Sequence, residues 1–120
     1  MIDKNAELKR KYRHPGPEAD ALFKASFIHS DVGCQCMGVS KRDPSQLVPR
    51  LPRSLDPVVH YGLIASADRV MKDAEARDAL AKEENVLCFE MEAAGLMDSF
   101  PCLVIRGICD YSDTHKNDDW

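Results

Sequence analysis

The chain has 120 residues, of which 44% are hydrophobic and 30% are charged, and its formal net charge is -4. This balance is that of an ordinary globular protein and excludes a collagen-like or wholly disordered chain. The basic residues form no continuous stripe and no apolar run is long enough to span a membrane, so neither a nucleic-acid partner nor a membrane is expected.

Residues 1–57 predict a loosely ordered N-terminal segment. Residues 6–28 favour a helix that Pro15 and Pro17 interrupt, with an apolar face that resumes in "EADALFKASFI". From residue 29 to 57, four prolines and several turn residues predict a long Pro-rich loop. Loops of this length are uncommon in compact domains, so this half does not predict a complete domain.

Residues 58–120 alternate between strand and helix patterns. β-branched and apolar runs predict three strands, and two helical patterns lie between them. In chain order these are "VVHYGLIAS" (58–66), "MKDAEARDALAKE" (71–83), "NVLCF" (85–89), "MEAAGLMDS" (91–99) and "CLVIRGIC" (102–109). This order is typical of parallel βαβ units, and it predicts an α/β fold with a mixed, mainly parallel sheet flanked by helices.

Acidic residues follow two of the predicted strands. Glu90, Met91 and Glu92 come after the second strand and Asp110 after the third. Ligands of open parallel sheets bind at the carboxyl ends of the strands, so these residues are expected at one edge. Each acid taken alone is equally compatible with a helix or turn cap, and this alternative stays open.

Two carboxyl groups at one edge suit the cleavage of an N-glycosidic bond. The sugar passes through an oxocarbenium-like state while the leaving base gains negative charge. Glu92 would accept hydrogen bonds from the sugar hydroxyls, and a protonated Asp110 would donate to the base. Such a proton accelerates a reaction about 10²- to 10⁴-fold. For this role, shielding must raise the pKa of Asp110.

The stretch "FEMEAAGLMDSFPCLVIRGICDYSD" resembles the purine/uridine phosphorylase family, in which "EMEA" is followed by a hydrophobic strand ending in "SD" or a close variant. The preceding "IASAD" is similar to the "IASGD" of the methylthioadenosine/S-adenosylhomocysteine nucleosidase branch. The likeness is strong over residues 58–120, looser over 10–57, and greatest to fungal members fused to ankyrin repeats or a NACHT module. It implies that residues 58–120 are the C-terminal half of a partial Rossmann-like nucleoside phosphorylase fold.

The resemblance implies roles for several residues of the substrate site. Glu92 would bind the ribose hydroxyls, Met91 would lie under the sugar, and Glu90 would support them. Asp110 would be the acid at purine N7 and the partner of an exocyclic amino group, which suits an adenine-type purine nucleoside. The resemblance implies no cofactor. It leaves open whether phosphate or water attacks the sugar, whether a nucleotide can be the substrate, and whether the protein is a homo-oligomer.

The resemblance also implies a base pocket, and here the chain departs from the family. Val70 and Met71 match positions that line the base, although the nucleosidases often carry an aromatic residue at the position of Val70. Cys109 stands where serine is frequent before the aspartate, which removes a hydrogen bond to the base.

The Gly-rich N-terminal half of the family is not found in this chain, which also stops at Trp120 where the family continues into a long helix. We therefore expect a shortened domain without turnover of its own. Two alternatives remain: a catalytically silent module that binds nucleosides or a partner protein, and a remnant that does not fold alone.

Cysteine and histidine give weaker signals. The five cysteines form no CxxC pair, and Cys88, Cys102 and Cys109 lie in apolar runs, which predicts reduced thiols in the cytoplasm. His29, Cys34 and Cys36 have the chemistry of metal ligands but lack a second CxxC-type knuckle, so no metal site is expected.

Three other polar residues need an explanation. His60 lies within a predicted strand and is more typical of a core or edge position than of a base. His115 and Lys116 are expected in a solvated loop, with contact to a phosphate as the alternative. Arg106 lies in the middle of an apolar strand and requires a partner such as a carboxylate, because an unpaired buried charge is costly.

Overall fold

The structure, a computed structural model, describes residues 5–30, 35–36, 38–52, 54 and 56–116. In these ranges no helix is long and apolar enough to cross a bilayer. The regular elements are the helices α1 (Ala6–Lys11), α2 (Ala74–Glu84) and α3 (Ala93–Met97), the strands β1 (Leu63–Ser66) and β2 (Val86–Glu90), and single 3-10 turns at Pro17–Ala19, Val39–Lys41 and Pro44–Gln46.

The two strands pair in parallel, and α2 connects them. Their register runs from Leu63 opposite Val86 to Ser66 opposite Glu90, with one irregularity after Leu63. The strand–helix–strand order predicted before residue 90 is therefore present. Because the strands are parallel, both of their carboxyl ends lie at the same edge.

The bounds of α2 follow from its caps. The Asp73 carboxylate accepts hydrogen bonds from the amides of Glu75 and Ala76, each at 3.0 Å, and so satisfies two of the amides that a helix start leaves open. The helix ends at Asn85, whose φ of 56° is in the left-handed region that closes helices. β2 begins at the next residue.

The prediction of a strand from residue 58 is wrong for its first part, since β1 begins at Leu63. Leu63 lies opposite Val86, and the residue before Val86 already closes α2. A residue before Leu63 would therefore have no extended backbone in β2 to pair with. Val58, Val59 and Tyr61 are correspondingly exposed, and the predicted strand position of His60 is also wrong, because His60 is exposed outside the ladder.

The third predicted strand, residues 102–109, forms no strand in the structure. Leu103 and Ile105 in its centre are 86% and 82% exposed. An apolar run becomes a strand when a neighbour pairs with its backbone and other elements cover its faces. Its side chains find no such cover among the described residues, although residues 106–110 lie beside β2.

The N-terminal segment starts with α1, where the side chain of Asn5 caps the amides of Glu7 and Leu8. The helix predicted to resume after the prolines is not formed. The chain makes a 3-10 turn and then an antiparallel bridge between Phe23 and Leu47. The hydrogen bonds of the bridge leave residues 22–24 extended, so they cannot continue a helix.

The most deeply buried large side chain in the described ranges is Phe23, which is 1% exposed. Its ring stacks on that of His115 at a centroid distance of 4.0 Å. The N-terminal segment and the end of the chain therefore pack together at this point. Ala74, Val86 and Ala93, at the starts of α2, β2 and α3, are buried as well.

Candidate functional site

The carboxyl ends of β1 and β2 hold the start of α3. The Glu90 carboxylate accepts hydrogen bonds from the amides of Glu92 and Ala93, both at 2.9 Å. The Ser66 hydroxyl accepts one from the amide of Ala94 at 3.0 Å. The first glutamate of the "EMEA" segment thus satisfies amides that a helix start leaves open.

Glu90 is buried, and it acts as an ionised acceptor. The hydrogen bond of the neighbouring Ser66 hydroxyl lowers the pKa of Glu90 below its ordinary value, and the amides of Glu92 and Ala93 add to this against the effect of burial. A carboxylate that accepts hydrogen bonds in its charged form favours that form. The ionised Glu90 carboxylate therefore stabilises the start of α3.

Glu92 and Met91 point outward at the same edge. The Glu92 side chain is 61% exposed, and its Oε2 lies 3.2 Å from Nη1 of Arg106. Met91 is exposed as well. Arg106 has the carboxylate partner that the sequence requires, but its side chain is 43% exposed, so the expectation that it is buried is wrong.

A cavity of about 90 Å³ lies between β2 and the segment that follows α3. Pockets that enclose a small-molecule ligand usually measure roughly 300 Å³ or more, so the cavity must open before it holds a nucleoside. Its wall combines apolar strand residues with a guanidinium and a carboxylate. The lining residues are Cys88, Phe89, Arg106, Gly107, Ile108, Cys109, Asp110 and Ser112.

Asp110 is already paired in this cavity. Its Oδ2 lies 2.5 Å from Nζ of Lys116, and its Oδ1 accepts a hydrogen bond from the amide of Ser112 at 2.8 Å. Burial works to raise the pKa of Asp110, but the Lys116 ammonium and the Ser112 amide outweigh it, and the pKa lies below its ordinary value. The expected rise in this pKa is wrong, because Lys116 is the counter-ion of Asp110.

The remaining predicted base-pocket residues divide between cavity and surface. Cys109 lines the cavity, and its Sγ lies 3.7 Å from the Asp110 carboxylate. Val70 is 50% exposed and Met71 is half-buried, and neither lines the cavity. The structure therefore brings Cys109, Asp110 and Arg106 together in the cavity. Val70 and Met71 lie outside it.

Two arginines anchor the backbone just beyond Asp110. Arg50 binds Asp20 through Nη2 and Oδ1 at 3.0 Å, and both side chains hydrogen-bond to the hydroxyl of Tyr111. Arg77 of α2 donates to the carbonyl of Tyr111 at 2.6 Å. These contacts fix the loop that carries Asp110 against the N-terminal segment and α2.

The cysteines and histidines differ in part from their predictions. Cys88, Cys102 and Cys109 are free thiols as expected, but Cys102 and Cys109 are exposed. His115 is not in a solvated loop, since its side chain is 1% exposed. Cys34 of the metal-ligand candidates lies outside the described residues. Burial among aromatic rings lowers the pKa of His115 even though Asp113 lies nearby.

Sequence reasoning missed the ion pair of Lys116 and the burial of His115. Lys116 shares the short "YSDTHK" run with Asp110, and this proximity could have indicated the ion pair. His115 gave no local signal, because its burial depends on Phe23 in the N-terminal segment.

Comparison with known proteins gives one similarity over most of the chain. A nucleotide-binding leucine-rich repeat (NLR)-like protein of Hyaloscypha variabilis is 43% identical over 110 residues, which are 92% of this chain and 10% of that protein. The chain thus spans about a tenth of the length of this relative. No family model matches the chain. No solved structure matches it either.

Proposed function

We propose that this chain is the sugar- and base-binding part of a nucleoside phosphorylase-like domain with a Rossmann-like fold. In a longer NLR-like protein of the cytoplasm, the completed domain cleaves the N-glycosidic bond of adenine-type nucleosides. One observation carries the proposal, namely the placement of the two acids around Arg106. Glu92 follows β2 and forms an ion pair with Arg106. Asp110 lies beside β2 in the cavity that Arg106 also lines. The family resemblance of the "EMEA" and "CDYSD" segments supports it.

The sugar end of the site is Glu92. Its exposed carboxylate accepts a long hydrogen bond of 3.4 Å from the amide of Met91 and forms an ion pair with a partly exposed arginine. Exposed ion pairs contribute roughly 0–1 kcal/mol. Replacing the ion pair with Arg106 by hydrogen bonds from two ribose hydroxyls to Glu92 therefore costs little free energy. The negative charge that remains near the sugar then stabilises the oxocarbenium-like state.

The base end of the site is Asp110. In its ionised form this carboxylate accepts a hydrogen bond from an exocyclic amino group, which favours adenine over a base that presents a carbonyl there. Donation of a proton to N7 requires that Lys116 first leave Asp110, since the ammonium holds the carboxyl ionised. Opening of this ion pair on base binding is thus part of the proposal.

Product analysis tests the enzymatic function. This chain alone is expected to release no free base, so the test uses the longer protein that contains the completed domain. That protein is purified and incubated with adenosine or methylthioadenosine, with and without phosphate, and free adenine is measured by chromatography. We expect adenine release that Asp110→Asn lowers at least about 100-fold in kcat with a smaller change in KM, since the proton matters in the transition state. Asp56→Asn, at an exposed carboxylate outside the cavity, is the matched control.

The phosphate dependence of the same assay separates a phosphorylase from a nucleosidase. Equal turnover by wild type and Asp110→Asn contradicts the assigned role of Asp110. Absence of free adenine under all these conditions contradicts the enzymatic function itself.

A catalytically silent nucleoside-binding module is the second candidate. Two observations favour it: both acids are already in ion pairs, and the pKa of Asp110 is lowered where proton donation needs it raised. Calorimetric binding of adenosine without any release of adenine supports this module. Release of adenine excludes it.

A further inference from the structure

A cluster of two histidines and one cysteine lies away from the cavity, where the N-terminal segment meets the end of the chain. Nδ1 of His29 is 3.0 Å from Sγ of Cys36. One ligand atom from each of His29, Cys36 and His115 lies within 4.8 Å of the other two. His29 and Cys36 are seven residues apart, whereas His115 is distant in the sequence, so the fold has brought His115 to the other two.

His115 is the least expected member of this cluster. Its side chain is 1% exposed, and neither of its ring nitrogens has a hydrogen-bond partner among the described residues. A buried imidazole always carries at least one N–H donor and usually finds a partner for it, because an unmade hydrogen bond in the interior is costly. The buried ring therefore has unused ligand capacity.

The orientation of the His115 ring is fixed from two sides. It stacks on Phe23 at 4.0 Å and on Phe27 at 5.2 Å, measured between ring centroids. Oδ1 of Asp113 lies 3.7 Å from Nδ1 of the ring. A carboxylate near one ring nitrogen is a common means of fixing the tautomer of a metal-binding histidine.

We propose that His29, Cys36 and His115 bind one Zn²⁺ ion through two imidazole nitrogens and one thiolate. Nitrogen and sulfur ligands of this kind select Zn²⁺ over Mg²⁺ or Ca²⁺, which take oxygen. With Zn–N of about 2.1 Å and Zn–S of about 2.3 Å, tetrahedral ligand atoms lie roughly 3.4–3.7 Å apart, so the observed cluster needs only small side-chain movements.

Binding at this cluster has a defined consequence for the chain. The Cys36 thiol loses its proton to solvent as the Zn–S bond forms, so zinc uptake releases a proton. The ion then links the N-terminal segment to the loop beyond Asp110. The fourth coordination position is left to water or to a further protein ligand.

The test uses the purified protein after removal of metal by a chelator. Calorimetric titration with Zn²⁺ is expected to show one ion per chain bound at this cluster, and His29→Gln, Cys36→Ser and His115→Gln are each expected to weaken this binding at least about 100-fold. His60→Gln and Cys102→Ser, at exposed positions outside the cluster, should leave it unchanged.

Titration of the wild-type protein with Co²⁺ gives a readout that does not depend on whether a variant folds. A thiolate-to-cobalt charge-transfer band in the near ultraviolet, lost in Cys36→Ser and kept in Cys102→Ser, supports the site. Absence of this band in the wild type overturns the proposal. Zinc binding that all three cluster substitutions leave unchanged overturns it as well.

Discussion

The carboxylate of Glu92 and the guanidinium of Arg106 lie 3.2 Å apart at the carboxyl edge of the parallel strands. The pair joins the start of α3 to the segment beside β2, and the side chains of Glu92 and Arg106 are 61% and 43% exposed. Glu90, two residues earlier, is buried and binds backbone amides. The two glutamates of one short segment thus have separate tasks, one in the helix start and one at the surface of the site.

Removal of Arg106, the ion-pair partner of Glu92, should lower the free energy of unfolding only slightly. We expect Arg106→Gln to change the free energy of unfolding by less than about 1 kcal/mol, because exposed ion pairs contribute little. Denaturant unfolding followed by circular dichroism measures this. A loss of more than about 2 kcal/mol contradicts the assignment of Glu92 as a side chain that can change its partner.

Glu90 should matter more for stability than Glu92. Glu90→Ala removes the acceptor of two amides at the start of α3, whereas Glu92→Ala removes an exposed ion pair and one long hydrogen bond from the amide of Met91. We therefore expect the larger fall in thermal midpoint for Glu90→Ala, with Glu92→Ala as the matched control. Equal midpoints in the two variants are inconsistent with the structural role of Glu90.

The ion pair of Asp110 predicts how stability depends on pH. The folded-state pKa of Asp110 lies below its ordinary value of 3.8, so the contribution of the pair is complete above the unfolded-state pKa. It is lost as the pH falls through the folded-state pKa. We expect wild type to exceed Asp110→Asn by about 1 kcal/mol at neutral pH, and this difference to shrink below about pH 4.

Urea unfolding of both proteins across this pH range measures the difference. A difference that grows toward acid indicates a raised pKa, which contradicts the contacts to Lys116 and Ser112. It would instead match the protonated acid that the chemistry of base departure requires.

The hydroxyl of Tyr111 ties the loop after Asp110 to the N-terminal segment. Tyr111→Phe removes its hydrogen bonds with Asp20 and Arg50, and we expect a loss of about 1–2 kcal/mol in the free energy of unfolding. Tyr61→Phe is the control, because the side chain of Tyr61 is 92% exposed. If both variants unfold at the same denaturant concentration, the hydroxyl of Tyr111 contributes nothing to anchoring the loop.

Local chemistry allowed the sequence to predict the βαβ unit. Asp73 is followed by an alanine- and charge-rich run that favours a helix, and the apolar run after it favours a strand. The position of Glu92 just after that strand also followed from local order, whereas Glu90, which was expected after the strand, is its last residue. These features depend on neighbours within a few residues, so the sequence carries them directly.

The features that depend on distant neighbours could not be predicted in this way. Residues 102–109 have the composition of a strand, but their pairing depends on what covers Leu103 and Ile105. The pKa of Asp110 depends on the direction in which Lys116 points. The burial of His115 depends on contact with Phe23, which lies in the opposite end of the chain.

The central claim is that Glu92 holds the sugar hydroxyls of a purine nucleoside at this edge. Calorimetric titration of the purified protein with adenosine and with 2′,3′-dideoxyadenosine, in wild type and in Glu92→Gln, tests it most directly. We predict that wild type binds adenosine at least about tenfold more tightly than the dideoxy compound, since hydrogen bonds to a charged group contribute roughly 1.5–3 kcal/mol, and that Glu92→Gln loses most of this preference. Equal affinity of wild type for the two nucleosides, or no saturable binding of either, contradicts the claim.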